Sequence, residues 1–403
     1  MKKFVLITLA FIALVPSGMA QLVPLVSGER NVLSLDLNRL YSYNQYEKSR
    51  YGLGLQYDIN FGEKSRFKTL SLSGYGAYGY ADERVKWGLK ADLQSRLKHQ
   101  SHSYVEFFHD LTPNGSRSLN AYQLLSFNST GSYMTRLFSD TWRLTVGFSR
   151  LVTPAVTQSF ELRMSRERYL HNGISLFYPS SWSELEGLPH HDFLEGRLFV
   201  AYTSGFRGEF VVGVCGDFPD IFSEDFLRQQ MFLRLLLQYD KEFYFSAFKF
   251  DLFTQGGWVN STAPFSRLFD LGGTWGSFLA MERSLLTARP NEFVANLFAL
   301  VNLRLATKKP LFDWYNPIFA IGTSPTPFIL CNAAWGKLGD STGPSIPDKG
   351  IAEVGGGVDG VLVFGAVEWG GAVVYRLTPE SAAYHYSDPK DNLVLLLTAQ
   401  LKL

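Results

Sequence analysis

The sequence predicts an all-β fold, a closed antiparallel transmembrane β-barrel of about 16 strands, with roughly 14 to 18 as the range. Three observations predict it. The chain of 403 residues opens with an export signal, alternates apolar and polar residues over much of its remaining length, and contains no later apolar run near the ~18 residues of a membrane-spanning helix. Aromatic residues make up 15% of the chain, which suits a surface that meets lipid.

The first twenty residues have the features of a secretory signal peptide. Lys2 and Lys3 precede an apolar run over residues 4–15, and Gly18 and Ala20 provide small residues before a cut at Gln21. The alternative is a membrane anchor. Twelve helical residues at ~1.5 Å each cover roughly 18 Å, which is short of the ~30 Å hydrocarbon core. We therefore expect a signal peptide at residues 1–20 and the barrel at residues 21–403.

The alternation is clearest in residues 52–61. Leu53, Leu55 and Tyr57 occupy one parity, whereas Gly54 and Gln56 occupy the other. Because successive side chains of a strand point to opposite faces, this stretch predicts a strand with one apolar and one polar face. The same pattern recurs in residues 86–93, 142–150, 160–167 and 393–403.

Less regular stretches complete the predicted wall. They lie at residues 32–41, 69–80, 103–110, 194–203, 209–215, 230–239, 244–256, 292–305, 318–322, 328–335, 351–363 and 366–376. Many of them have about ten residues, the length of a tilted membrane strand. Turn signals such as residues 61–64, 113–115 and 307–310 separate them. Dividing the roughly 380 residues after the signal by about 24 per strand and turn gives the expected strand number.

Soluble all-β proteins also alternate, so the membrane assignment needs further support. The export signal directs the chain to the periplasm, and aromatic residues such as Trp87, Trp142 and Tyr375 lie near predicted strand ends, as in an interfacial girdle. A closed barrel also leaves no unpaired strand edge in the hydrocarbon. These features favour the outer membrane over a soluble periplasmic β-protein, which remains the alternative.

Charged residues on the polar parity are candidates to face the lumen. These residues are Lys86, Lys90, Asp92, Glu161, Arg163, Glu167, Lys249 and Asp251. Their mixed signs predict a polar interior held together by ion pairs, whereas the alternative is an ordinary solvated face.

No catalytic, cofactor-binding or metal-ligating residues are predicted. Residues 74–79 match G-x-G-x-x-G but lie inside a strand-like run, where a dinucleotide site would need a strand followed by a helix. His190, His191 and Asp192 could hold a metal, although an external loop is the simpler interpretation. A barrel-embedded hydrolase is a less favoured alternative. Whether Cys215 and Cys331 pair is left open by the sequence.

The near balance of 38 basic and 37 acidic residues gives a formal net charge of +1 and argues against nucleic acid as a partner. The expected partners are instead outer-membrane lipid and, during insertion, the barrel assembly machinery. No specific protein partner can be named from the sequence.

Several stretches resemble a family of uncharacterised outer-membrane proteins. They are residues 38–57, 72–93, 291–295 with 309–312 and 332–336, and 350–375. In that family a carboxypeptidase-regulatory-like domain usually precedes a C-terminal barrel related to the surface-antigen (outer-membrane assembly factor) superfamily. The regulatory-like domain has no counterpart here. Where the superfamily carries an Arg-Gly-aromatic signature on an inward loop, residues 271–278 keep the glycines without the arginine.

The resemblance implies a non-catalytic barrel in the outer membrane of a Gram-negative cell, with a transport, assembly or scaffolding role. A substrate channel of the porin or hydrophobic-compound type is the alternative.

Overall fold

The computed structural model describes a chain built almost wholly from β-strands. It describes residues 22–44, 46–96, 101–115, 117, 138–170, 191–218, 230–272, 274–275, 279–280, 283–288, 293–319, 321–339, 350–364, 367–378 and 392–401. The predicted signal peptide lies outside these residues. Within them, no helix has both the length and the apolar character needed to cross a membrane.

The strands of the first half are β1 (Leu22–Ser27), β2 (Asn31–Asp36), β3 (Tyr41–Asn44), β4 (Lys48–Asn60), β5 (Phe67–Gly79), β6 (Val85–Ser95), β7 (His102–Pro113), β8 (Phe138–Thr153), β9 (Val156–Tyr169), β10 (His191–Tyr202) and β11 (Phe206–Gly216). Those of the second half are β12 (Gln230–Phe245), β13 (Phe248–Val259), β14 (Phe269–Asp270), β15 (Thr274–Trp275), β16 (Leu279–Ala280), β17 (Val294–Ala295), β18 (Leu297–Thr307), β19 (Trp314–Asn316), β20 (Ile321–Thr323), β21 (Thr326–Lys337), β22 (Ile351–Phe364), β23 (Val367–Arg376) and β24 (Leu393–Leu401).

One antiparallel sheet contains most of these strands, as the all-β prediction requires. Neighbours in the chain are mostly neighbours in the sheet, and β18 joins β13 to β21. Small two-stranded sheets, β14 with β17 and β15 with β16, lie within the connection from β13 to β18.

The expected number of strands is wrong, because the main sheet has 20 strands rather than about 16. Part of the excess in strand number arises where two short strands, separated by an interruption, pair with the same neighbouring strand. A 3-10 turn at Leu37–Arg39 separates β2 from β3, which both pair with β4. Pro325 lies between β20 and β21, which both pair with β22, and proline has no N–H for the ladder. The short strands β1 and β19 were not predicted at all.

The ladders of the described residues form an open series. It runs from β1, which pairs with β2, to β24, which pairs with β23, and in the part of the chain described no ladder joins β1 or β2 to β24. Closure of the sheet therefore remains a prediction.

The two faces of the sheet differ in chemistry. Along β12, Met231, Leu233, Leu235 and Leu237 are exposed, whereas the residues between them, among them Arg234, are buried. We call the exposed apolar side the outer face and the buried side the inner face. Large exposed apolar rows are unusual for a surface in water.

The apolar rows identified in the sequence lie on this outer face. They include Leu53 and Leu55 of β4, Trp142, Leu144, Val146 and Phe148 of β8, Phe160 and Leu162 of β9, and Leu393 and Leu395 of β24. The parity read from the sequence is therefore confirmed on these strands.

The two ends of the sheet differ in the length of their connections. At one end the hairpins turn within residues 61–66, 154–155, 203–205 and 246–247, and residues 308–325 form a longer connection that contains β19 and β20. At the other end the connections include residues 114–137, 170–190, 217–229 and 260–296. We call these the short-turn end and the long-loop end.

Candidate functional site on the inner face

The connection from β13 to β18 covers part of the inner face. We call residues 265–295 the inner segment, and they are described except for residues 273, 276–278, 281–282 and 289–292. Its apolar side chains Phe269, Leu271, Leu285 and Phe293 are completely buried. Four large apolar side chains would be unusual in a connection exposed to water.

Wall residues complete this core. Leu236 of β12, Phe253 of β13 and Phe298 of β18 belong to the same buried cluster as the inner segment. The rings of Phe269 and Phe298 lie 4.8 Å apart at a tilted angle. Gly257 of β13 makes room for this packing, because a Cβ there would come within 2.8 Å of the Phe269 ring. Apolar contact therefore fixes the inner segment against β12, β13 and β18.

Arg267 bonds the inner segment to β9 and β10, and we call this set of contacts the Arg267 clamp. Arg267 donates from Nε to Glu195 Oε1 of β10 at 2.6 Å. It also donates from Nη1 and Nη2 to the two oxygens of Glu167 of β9, at 3.0 and 2.9 Å. Both carboxylates are buried, and the Arg267 guanidinium lies over the Phe193 ring at 3.9 Å.

The clamp keeps its charge in spite of burial. Burial lowers the pKa of Arg267, but the adjacent Glu167 and Glu195 carboxylates raise it by more, so the pKa lies above its ordinary value. The guanidinium is therefore cationic and compensates the two buried acids.

A second clamp holds the far part of the inner segment. The buried carboxylate of Glu353 on β22 accepts hydrogen bonds from the Leu286 N–H at 2.6 Å, the Thr287 N–H at 2.8 Å and the Thr287 hydroxyl at 2.7 Å. Arg376 of β23 donates from Nη2 to the Thr287 carbonyl at 2.6 Å. Asn332 of β21 also donates to Glu353, at 2.7 Å.

Arg117, in the connection that follows β7, bonds both the inner segment and β13. Its Nε donates to the Asp270 carbonyl at 2.6 Å, and its Nη1 donates to Gln255 Oε1 of β13 at 2.6 Å. Gln255 returns a hydrogen bond to the Arg117 carbonyl at 2.8 Å. The inner segment is thus bonded to strands that lie far apart in the sheet, through buried polar groups that have partners.

Three of the eight predicted lumen candidates are buried on the inner face: Lys86, Glu161 and Glu167. Lys86 pairs with Glu47 at 3.0 Å and also contacts Asp82. Glu161 pairs with Arg163, another predicted residue, at 2.6 Å and accepts a hydrogen bond from the Tyr104 hydroxyl. Glu167 belongs to the Arg267 clamp.

Four more of the predicted residues are partly exposed and form two pairs. Lys90 lies 3.4 Å from Asp92, and Lys249 lies 3.3 Å from Asp251. Each pair is two residues apart on one strand, so both members share a face. That these eight residues face a lumen remains a prediction, because it depends on closure.

Sequence reasoning missed the residues that hold the inner segment. Arg267, Glu353 and Arg376 are not among the predicted lumen-facing residues. Arg267 lies in a stretch without alternation, and its partner Glu167 is 100 residues away in the chain. Glu353 and Arg376 do lie on predicted strands, where an isolated charge in an apolar, glycine-rich strand was the available signal. His190 of the possible metal cluster lies outside the described residues.

An antiparallel sheet with an exposed apolar face and an inward connection has the architecture of a membrane barrel wall. No family model matches the chain, and no curated protein matches it. Solved structures do. BamA from Haemophilus ducreyi, lacking POTRA domains 1–3, matches with a TM-score of 0.50 and 10% identity, over 93% of this chain and 71% of that chain.

Two further matches are CdiB from Acinetobacter baumannii and CdiB from Escherichia coli. Their TM-scores are 0.43 and 0.48, each at 10% identity, over 92% and 93% of this chain. The present chain spans 58% and 64% of their lengths. The similarity to BamA confirms, for the fold alone, the predicted likeness to barrels of the surface-antigen superfamily.

Proposed function

We propose that this chain is an integral outer-membrane β-barrel protein of a Gram-negative cell, with a non-catalytic role in transport, assembly or scaffolding. In this proposal the wall is closed and the inner segment occupies its lumen. The observation that carries the proposal is the division of the sheet into an exposed apolar outer face and an inner face of paired charges covered by the inner segment.

Contacts of the inner segment support closure. It bonds to β9 and β10 through Arg267 and to β22 through Leu286 and Thr287, and β16 contacts β24. Strands are spaced about 4.8 Å apart in a sheet, so a flat wall would place β9 and β24 tens of ångströms from each other. Curvature of the wall around the segment brings both within its reach.

Three observations support the membrane location. The fold resembles that of BamA, the outer face is apolar, and the long-loop and short-turn ends differ as extracellular loops and periplasmic turns do in outer-membrane barrels. We further propose that residues 1–20 are removed as a signal peptide and that insertion requires the barrel assembly machinery. The intact mass of the mature protein tests the first point, because cleavage before Gln21 fixes it.

The paired charges of the inner face favour a filled lumen over the alternative of an open substrate channel. Glu161, Glu167 and Glu353 all engage donors of the wall or the inner segment. Pairing of this kind also supports a non-catalytic interior, because the acids are engaged in structural contacts.

The experiment is to insert the purified full chain into planar lipid bilayers and record its conductance, beside an open porin as positive control. We expect no steady large current. Steady large currents from the wild-type chain would favour the channel alternative and contradict the filled lumen. In parallel, membranes containing the protein are washed with alkaline carbonate. Release of the protein without detergent would contradict the integral membrane location.

A further inference from the structure

Three arginines lie together on the outer face at the long-loop end. Arg84 precedes β6, and Arg166 and Arg168 lie on β9. Their side chains are 45%, 48% and 46% exposed. The cluster lies on the face whose other exposed residues are mostly apolar, so it is not part of the paired interior.

Two carboxylates share these three cations. Asp140 Oδ2 of β8 accepts from Arg84 Nη1 at 3.0 Å and from Arg168 Nη2 at 3.3 Å. Asp192 of β10 accepts two hydrogen bonds from Arg166, at 2.7 and 2.8 Å. The carboxylate of Asp217 also interacts electrostatically with Arg166, so each of the three arginines lies beside an acid. Each guanidinium also has five N–H donors, more than these bonds use.

His109 of β7 adds to the cluster. Its Nε2 lies 2.7 Å from Asp140 Oδ1, and its ring stacks on Trp142 with centroids 4.2 Å apart.

An aromatic belt lies directly beside the cluster, toward the short-turn end. Trp142 is two residues from Asp140 on β8, and its ring lies 5.8 Å from that of Trp87 and 6.1 Å from that of Phe107. Aromatic girdles of outer-membrane barrels mark the interface between hydrocarbon and head groups. Two residues of a strand span about 7 Å, so the arginines lie at the depth of the head groups.

The apolar row continues below the belt. Leu144, Val146 and Phe148 are exposed on β8 and are followed by Arg150 at the short-turn end. Among the residues of β8 and β9, all of which are described, Arg150 is the one charged residue at that end. On the outer face of β8 and β9, Arg166 and Arg168 lie at the long-loop end, which the proposed function places at the outer leaflet, and Arg150 lies at the short-turn end.

We propose that Arg84, Arg166 and Arg168 form a binding site for the phosphorylated head group of a glycolipid of the outer leaflet. The phosphate accepts hydrogen bonds from the exposed guanidinium edges, and the acyl chains lie along Trp142, Leu144 and Val146. Arginine suits this ligand because its planar fork bonds phosphate oxygens in pairs. Clustered cations beside an apolar surface bind anionic lipid. The inference rests on the proposed outer-membrane location.

The test uses the full chain, reconstituted in nanodiscs of zwitterionic phospholipid. Binding of diphosphorylated lipid A is measured by native mass spectrometry and compared with binding of the same lipid after removal of its phosphates. The test variant is Arg84→Gln/Arg166→Gln/Arg168→Gln. The matched control is Arg66→Gln/Lys68→Gln/Arg150→Gln, which removes three exposed cations at the short-turn end. Heat-modifiable migration on gels verifies that each variant is folded.

We expect the wild-type chain and the control to prefer the diphosphorylated lipid, and the test variant to bind it at least about tenfold more weakly. A variant with lysine at all three positions should keep part of the preference, since charge remains. Equal binding of both lipids by an inserted wild-type chain overturns this inference alone. A loss of lipid A binding in the control variant as large as that in the test variant overturns it as well. A chain that does not insert overturns the proposed function instead.

Discussion

Removing the Arg267 guanidinium is the perturbation that bears most directly on the inner segment. Arg267→Ala deletes the three hydrogen bonds to Glu167 and Glu195 and leaves both carboxylates buried without this cation. Glu167 keeps a 3.4 Å contact with Arg143. We expect the inner segment to leave the inner face more often. These bonds hold it to β9 and β10, and of the attachment to β9 the hydrogen bond from the Ser266 N–H to the Tyr169 hydroxyl at 3.2 Å remains.

The magnitude follows from the burial of both acids. Breaking a buried ion pair by removing one partner costs about 3–5 kcal/mol. A change of 1.4 kcal/mol is tenfold in an equilibrium constant, so the population with a released segment should rise by about 10²- to 4 × 10³-fold. The Glu353 clamp and the apolar core remain, so the wall itself should stay folded.

Limited proteolysis by chymotrypsin is the assay, on the purified full chain in detergent micelles. Cleavage within residues 265–295 is followed by mass spectrometry, because Phe269 and Phe293 are buried while the segment is in place. Arg150→Ala is the control, since Arg150 is exposed and bonds only at the surface to Gln158. Arg267→Met/Glu167→Gln/Glu195→Gln removes the three charges together and should restore most of the protection.

Unchanged protection in a folded Arg267→Ala protein would refute the reasoning, because the clamp would then contribute nothing to docking. Rapid cleavage in the Arg267→Met/Glu167→Gln/Glu195→Gln protein, at the rate of the single variant, would refute the electrostatic part. In that case shape, rather than compensation of buried charge, would hold the segment.

Two further predictions concern the wall. Leu55→Arg places a charge on the apolar row of β4 and should destabilise insertion into vesicles by about 2–4 kcal/mol, whereas Val85→Arg at the end of β6 should cost about 0–1 kcal/mol; equal effects in a urea titration would contradict the depth assignment. Gly147→Leu should cost about 1–3 kcal/mol of stability, because a Cβ there would come within 2.2 Å of the Tyr104 ring. Gly76→Ala, with open space around it, is the control and should be near neutral by the same titration.

The outer face could be predicted from the sequence because strand alternation is a local property. The row from Trp142 to Phe148 needs only a period of two and one lipid-facing side, and the structure places it as expected. Pairs such as Lys90 with Asp92 were likewise accessible, since residues two apart on a strand share a face.

The inner segment could not be predicted in the same way. Its stretch around Arg267 has no alternation of apolar and polar residues, and the four strands β10 to β13 lie in the chain between Arg267 and its partner Glu167. Contacts between Thr287 and Glu353 also depend on how far the wall curves, which no local pattern specifies. The predicted strand number is wrong for a related reason. Leu37–Arg39 and Pro325 each divide a stretch into two strands where the alternation of apolar and polar residues predicts a single one.

Closure of the wall is tested most directly by disulfide formation between the first strands and β24. In a chain with Cys215→Ser and Cys331→Ser, Leu395→Cys is combined with single cysteines across residues 23–43 and oxidised in membranes. Val373→Cys with Leu395→Cys is the positive control, because these residues are paired neighbours. A closed barrel predicts efficient intramolecular bonds at one register, since disulfides need Cα atoms within about 7 Å. No bond at any position, with the control bond formed, would contradict a closed barrel.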